Sequence, residues 1–238
     1  MTLIKRGKNS MLDITPQEWS AIALSLKIAS LATLCVLPLA VLTAFMLAKC
    51  NFWGKSLLNA LVHLPLILPP VVIGYSLLLV FGRNGIIGHA LYNYLGISLA
   101  FNWFGAALAS AIMGFPLFVR GVKLSIEAID AKLEQAAATL GANPTKVFLT
   151  ITLPLALPGI IAGAILCFAK ALGEFGATIT FVSNIPDETQ TIASAIYSFT
   201  QTPDGDAAAL RLMAVSILIG FTALLASDLF FKRIKTGS

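Results

Sequence analysis

The chain has 238 residues, 58% of them hydrophobic and only 11% charged, with a mean hydropathy of +0.88 and a formal net charge of +5. Soluble domains carry about 25% charged residues, so the solvent for most of this surface is lipid and a separate soluble domain is excluded. The basic residues form short runs between apolar segments, a pattern of membrane topology and not of nucleic-acid binding.

At about 20 apolar residues per crossing, residues 1–238 read as one transmembrane domain with five spans. Residues before the first span carry Lys5, Arg6 and Lys8. Span one covers about 20–48, "SAIALSLKIASLATLCVLPLAVLTAFMLA", with Lys27 near one end, where it is expected to snorkel. "GKS" at 54–56 resembles the end of a phosphate loop, but the required upstream glycine would fall on Lys49, so it reads as a basic turn. Span two covers about 57–81 and contains Pro65, Pro69, Pro70 and Gly74. These predict a kink, either as a hinge or as fixed shape. In loop 82–102, Ile86, Ile87, Leu91, Tyr94 and Leu95 predict a short amphipathic helix at the outer interface, beside Trp103. Span three covers about 103–122, and a polar passage of about 123–154 follows it. Span four covers about 155–182. Loop 183–206 is acidic, with Asp187, Glu188, Asp204 and Asp206, and span five covers about 207–231.

Lipid cannot satisfy open backbone groups, so every span is a helix. Lys49, Lys55, Arg120, Lys123, Lys132, Lys146, Lys232, Arg233 and Lys235 all fall on one side of this arrangement. Basic residues concentrate on the cytoplasmic side, which makes the C-terminus cytoplasmic. Five spans then put the N-terminus outside, against the sense of Lys5, Arg6 and Lys8. A start at Met11 would remove that conflict. Cys35, Cys50 and Cys167 lie in or beside apolar segments and read as buried free thiols. His63 and His89 are isolated, so no metal site is expected.

The polar passage has the most internal order. In "LSIEAIDAKLEQAAATL", 124–140, Ile126, Ile129, Leu133, Ala137 and Leu140 recur at spacings of three and four, the signature of one helical face. Gly141 stands where a left-handed cap favours glycine, and Asn143-Pro144 supplies an N-cap and first residue for a second short helix. Pro154 and Pro158 lead into span four. An interfacial helix would explain the amphipathicity but not the glycine corner or the spaced prolines.

This passage resembles the EAA loop of ABC-importer permease subunits: a small-residue helix, a glycine, nine residues, then Ile-x-Leu-Pro. Gly141 and Ile151-Thr152-Leu153-Pro154 fit that spacing, as do Ala136 and Ala137. Counted back from Gly141, the acidic position of the motif holds Gln135, with Glu134 one place earlier. "LSLKIASLATL", "HLPLILPPVVIGY", "AKLEQAAATLGA" and "ALGEFGATITFVSNIP" are similar to molybdate permease subunits in particular. The resemblance implies an all-α type I importer core whose coupling helix docks on a separate ATPase. It also implies a homodimer, two ATPase subunits holding ATP and magnesium, and a periplasmic binding protein that delivers molybdate or tungstate. This chain itself would hold no cofactor and no catalytic site. A sulfate or other small-oxyanion permease is the alternative.

Inside span four, Lys170 and Glu174 lie four residues apart, as a structural ion pair between spans or as groups exposed to a permeating anion. Thr178, Thr180, Ser183 and Asn184 continue toward its outer end as further pathway candidates, although hydroxyls in membrane helices commonly bond their own backbone. A secondary transporter would show paired broken helices in two related halves, and a membrane enzyme would show convergent titratable groups. The sequence displays neither.

Overall fold

The computed structural model describes residues 14–236, with side chains to residue 226. Lys5, Arg6, Lys8 and the choice between Met1 and Met11 lie outside the described residues, as do the side chains of Lys232, Arg233 and Lys235.

The described residues form helices and no strands. In chain order they are α1 (Pro16–Lys49), α2 (Lys55–Ile67), α3 (Pro70–Phe81), α4 (Ile86–Leu95), α5 (Trp103–Glu127), α6 (Ala131–Thr139), α7 (Pro144–Val147), a π turn (Phe148–Thr152), α8 (Leu153–Leu172), α9 (Gly176–Val182), α10 (Ile192–Thr200) and α11 (Asp206–Thr236). Among the described residues, four helical stretches are long and apolar enough to cross a membrane. Counting the bent pair α2–α3 as one span makes five.

α1 begins with a capping box: Glu18 N donates to Thr15 Oγ1, and Thr15 N donates to Glu18 Oε2. Its 34 residues extend ~51 Å, well beyond a hydrocarbon core of ~30 Å. α5 packs against both α1 and α8 and makes the centre of the molecule. Small residues let the α5 and α8 backbones come together. A Cβ on Gly163 would meet the Phe118 carbonyl oxygen at 2.8 Å, and one on Gly159 would meet Ser125 Cβ at 2.2 Å and the Gly121 carbonyl oxygen at 2.7 Å. Between membrane helices, where hydrophobic burial adds little, such close packing is a main source of association. Phe118, Val119, Val122, Ile126, Ala156, Ile160 and Cys167 fill the rest of this seam.

Two spans differ from the expected continuous helices. Span two is not kinked but broken at Leu68-Pro69, with α2 and α3 inclined at 111°. Pro69 and Pro70 lack amide hydrogens, and Leu68 before them is extended, as a residue preceding proline prefers. Span four is broken as well: α8 ends at Leu172, and α9 starts only at Gly176. The lower part of that crossing starts earlier than residue 155, because α7, the π turn and α8 run on as one stretch, Pro144–Leu172. The two breaks adjoin. A Cβ on Gly176 would lie 2.8 Å from Pro70 Cβ, and one on Gly74 would lie 2.5 Å from the Ala177 carbonyl oxygen, so α3 and α9 pack as a pair of half-helices.

Candidate functional site

The passage between α5 and α8 folds as an elbow with a chemical reason at each corner. α5 stops at Glu127, and Asp130 Oδ1 accepts from Lys132 N at 2.9 Å to start α6. This corrects the expectation of one helix over 124–140. Ile126 is buried in the α5–α8 seam, whereas Leu133 lies on a separate helix, Leu140 caps its end, and both are exposed. The Asp130 side chain competes for the backbone and ends the periodicity that Ile129 carries on. α6 closes with a Schellman motif: Ala142 N donates to Ala137 O at 3.1 Å and Gly141 N to Ala138 O at 3.0 Å. Gly141 has φ +84°, in the left-handed region that favours glycine. Asn143 Oδ1 then accepts from Lys146 N at 2.8 Å, with Pro144 as the first residue of α7.

The helix widens at the π turn just before Pro154. Leu153 N reaches back to Phe148 O, and Pro154 has no hydrogen to donate. Ile151 and Leu153 are half-buried there, and Pro154 is exposed. Phe148 packs edge-on against Phe45 of α1, with ring centroids 4.8 Å apart.

Glu134 and Gln135 take opposite directions. Gln135 and Ala136 are exposed and Ala137 is half-buried. Glu134 turns inward: its Oε2 accepts from Lys49 Nζ at 2.7 Å, and its Oε1 accepts from Thr152 Oγ1 at 2.8 Å. Lys49 is the last residue of α1 and Thr152 closes the π turn, so one carboxylate ties α6 to two other elements. Beside it is a cleft of about 340 Å³ lined by Phe45, Ala138, Pro144 and Phe148 among others. In the sequence Lys49 is marked by its charge and by its place upstream of "GKS", and Thr152 is the spacer in the Ile-x-Leu-Pro run. Their approach to Glu134, across 85 and 18 residues of chain, leaves no local signature.

At the break in span four, Lys170 Nζ lies 2.7 Å from Glu174 Oε2, so the two residues do meet. Glu174 is 1% exposed, and its other oxygen accepts from Ala177 N at 3.0 Å, capping α9. Lys170 remains 30% exposed. The hydroxyls beyond bond their own helix, Thr178 to Phe175 O at 2.9 Å and Thr180 to Gly176 O at 2.8 Å. Ser183 caps the end of α9 at φ +68°, and Asn184 Nδ2 donates to Ser198 Oγ while its Oδ1 is buried without a partner.

A buried ion pair between α1 and α11 was not visible in the sequence. Arg211 at the start of α11 donates from Nε and Nη2 to Glu18 Oε1 at 3.0 and 2.8 Å, and Glu18 is fully buried. Ser25 Oγ accepts from Ile192 N at 2.7 Å and Gln17 donates to Gln190, which draws α1, α10 and α11 together at that end. Nearby, Lys27 places its ammonium 3.5 Å over the Trp103 ring. The three cysteines are free thiols. Only Cys167 is buried, and Cys35 is exposed on α1, contrary to the expectation for all three. Among the described residues no group of three or more His, Cys, Asp and Glu side chains could hold a metal ion.

The family model described as "Binding-protein-dependent transport system inner membrane component" matches residues 36–236. The chain belongs to this family. It is a multi-pass membrane protein, and its curated relatives are permease subunits. The molybdenum transport system permease protein ModB of Escherichia coli K12 is 57% identical over 215 residues, covering 90% of this chain and 94% of that protein. ModB of Haemophilus influenzae is 56% identical over 218 residues, covering 92% and 95%. The sulfate transport system permease protein CysT of Salmonella typhimurium is more distant, at 34% over 222 residues, 92% of this chain and 80% of that one.

The family fold has solved examples. A bacterial ABC transporter involved in import of the acidic polysaccharide alginate aligns with a TM-score of 0.70 at 20% identity, covering 90% of this chain and 80% of its own. The MetNI methionine ABC transporter aligns at 0.68 and 15%, covering 92% and 94%. These likenesses establish the type I importer permease architecture expected from the sequence.

Proposed function

We propose that this chain is the membrane-spanning subunit of an ATP-driven importer that carries molybdate, and with it tungstate, into the cytoplasm. The observation that carries this reading is 57% identity to a molybdenum permease across 94% of that protein, against 34% to the sulfate permease. In this reading two copies form the pathway and two separate ATPase subunits hold ATP and magnesium. A periplasmic binding protein delivers the anion. The C-terminus and the elbow face the cytoplasm, and α6, with Gln135 and Ala136 exposed on it and Ala137 half-buried beside them, is the coupling helix. Loops 82–102 and 183–206 face the binding protein.

Transport of a dianion calls for weak, polar stabilisation along the way, because a carrier must release what it accepts. Lys170 supports that role: its ammonium is partly accessible and already balanced by Glu174, so an anion beside it meets a dipole and not a bare charge. Thr178 and Thr180 keep lone pairs but have committed their hydrogens, and the α9 N-terminus is capped, so Lys170 is the strongest pathway candidate in this stretch.

Reconstituted permease, ATPase and binding protein should take up labelled molybdate, with tungstate competing strongly and sulfate weakly. Efficient sulfate competition would replace this reading with the sulfate one. Lys170→Gln should reduce uptake by about tenfold, the scale of one lost charge-assisted contact. Intact uptake would remove Lys170 from the pathway.

A further inference from the structure

We propose that Glu134 is a strap that makes the coupling helix move as one body with α1 and α8, and that it does not itself contact the ATPase. This rests on the reading of α6 as the coupling helix.

Three observations carry it. First, α6 buries none of its residues, so little apolar packing holds it in place. Second, neither of its covalent ends continues as helix into a membrane span: Ala128–Asp130 is non-helical on one side, and on the other the chain turns at the left-handed Gly141. Third, the carboxylate that anchors it is divided between two other elements, Lys49 at the end of α1 and Thr152 in the π turn. Phe45 against Phe148 joins those two elements to each other, closing the loop of contacts.

A push on a helix joined to the spans only through two chain corners can turn the helix about those corners. A push on a helix pinned by a carboxylate between two spans moves the spans. The ammonium–carboxylate bond is charge-assisted, with Lys49 and Glu134 side chains 25% and 20% exposed, which shields it from much of the screening that weakens surface pairs. The placement also accounts for the departure from the EAA pattern. Glu134, one position from the motif's acidic place, faces the membrane spans, and Gln135 in that place faces outward.

The test uses the complete transporter, with ATP hydrolysis and molybdate uptake measured on the same proteoliposomes. Glu134→Gln and Lys49→Gln should each lower uptake per ATP hydrolysed by at least about fivefold, the small end of ordinary coupling between sites. The ATPase subunit should still co-purify. Thr152→Val should give a smaller loss in the same ratio. The exchanged pair Glu134→Lys with Lys49→Glu should recover most of it, which a general folding defect would not allow. Loss of ATPase co-purification in Glu134→Gln alone would make Glu134 a docking contact and overturn the proposal. So would an unchanged uptake-to-hydrolysis ratio in both single variants, or an exchanged pair no better than either. If the unaltered transporter carried no molybdate or bound no ATPase, the underlying functional reading would fail instead, and that control separates the two failures.

Discussion

Arg211 and Glu18 show how much one side chain can hold when it is out of water. Glu18 serves two structures at once, closing the α1 capping box and accepting both donors from Arg211. Arg211→Met would leave the carboxylate buried and unpaired, which costs about 3–5 kcal/mol. Thermal unfolding of the detergent-solubilised protein should register this as a clearly lowered midpoint. The double variant Glu18→Leu with Arg211→Met should regain part of the loss, because an apolar pair carries no stranded charge. If the double variant were as unstable as the single one, desolvation would not be the controlling term. Gly141 offers the opposite case. Nothing lies within 4 Å of its Cβ position, so Gly141→Val suffers from backbone conformation alone, at about 1–2 kcal/mol. Gly141→Asn should cost less, since asparagine tolerates the left-handed region. Uptake by the three proteins should rank Gly, Asn, Val.

Among the elements, the α5–α8 seam sets the strictest terms. Gly159→Val would drive a side chain into Ser125 and the Gly121 carbonyl oxygen, and backbone cannot step aside as a flexible side chain can. Expression of folded protein should collapse. Gly220→Ala in α11 meets nothing within 4 Å and should be neutral or slightly stabilising, by up to about 1 kcal/mol, because alanine is the better helix former. Fluorescence-detected size exclusion of the two variants makes the comparison. The elements also show which features a sequence discloses. Asn143, Pro144 and Gly141 act on their own neighbours, so their spacing suffices to place the corner of the elbow. Asp130 acts locally too, but Ile126, Ile129 and Leu133 keep a helical period across it and conceal the break. The α2–α3 angle and the gap before α9 depend on Pro70 and Gly176 meeting across 106 residues, which no window of sequence contains. Glu134 could be placed on α6 by position, but the direction of its side chain is decided by Lys49 and Thr152.

For the molecule as a whole, the distribution of basic residues predicts a measurable orientation. In a variant lacking Cys35, Cys50 and Cys167, a membrane-impermeant maleimide applied to intact cells should label Asn84→Cys and spare Thr145→Cys. Both positions are exposed, so accessibility alone does not decide the outcome. The reverse pattern would invert the topology and with it the placement of the elbow. The paired half-helices carry a consequence for biogenesis. α3 and α9 have 12 and 7 residues, ~18 and ~10 Å at helical rise, so neither bridges the bilayer by itself. Hydrocarbon penalises the frayed ends at each discontinuity until the companion arrives. The ribosome emits α3 about a hundred residues before α9, and throughout that interval the nascent chain holds an unfinished crossing. A polypeptide interrupted after α5 therefore presents quality-control proteases with an incomplete bundle, whereas one that reaches α9 can seal itself.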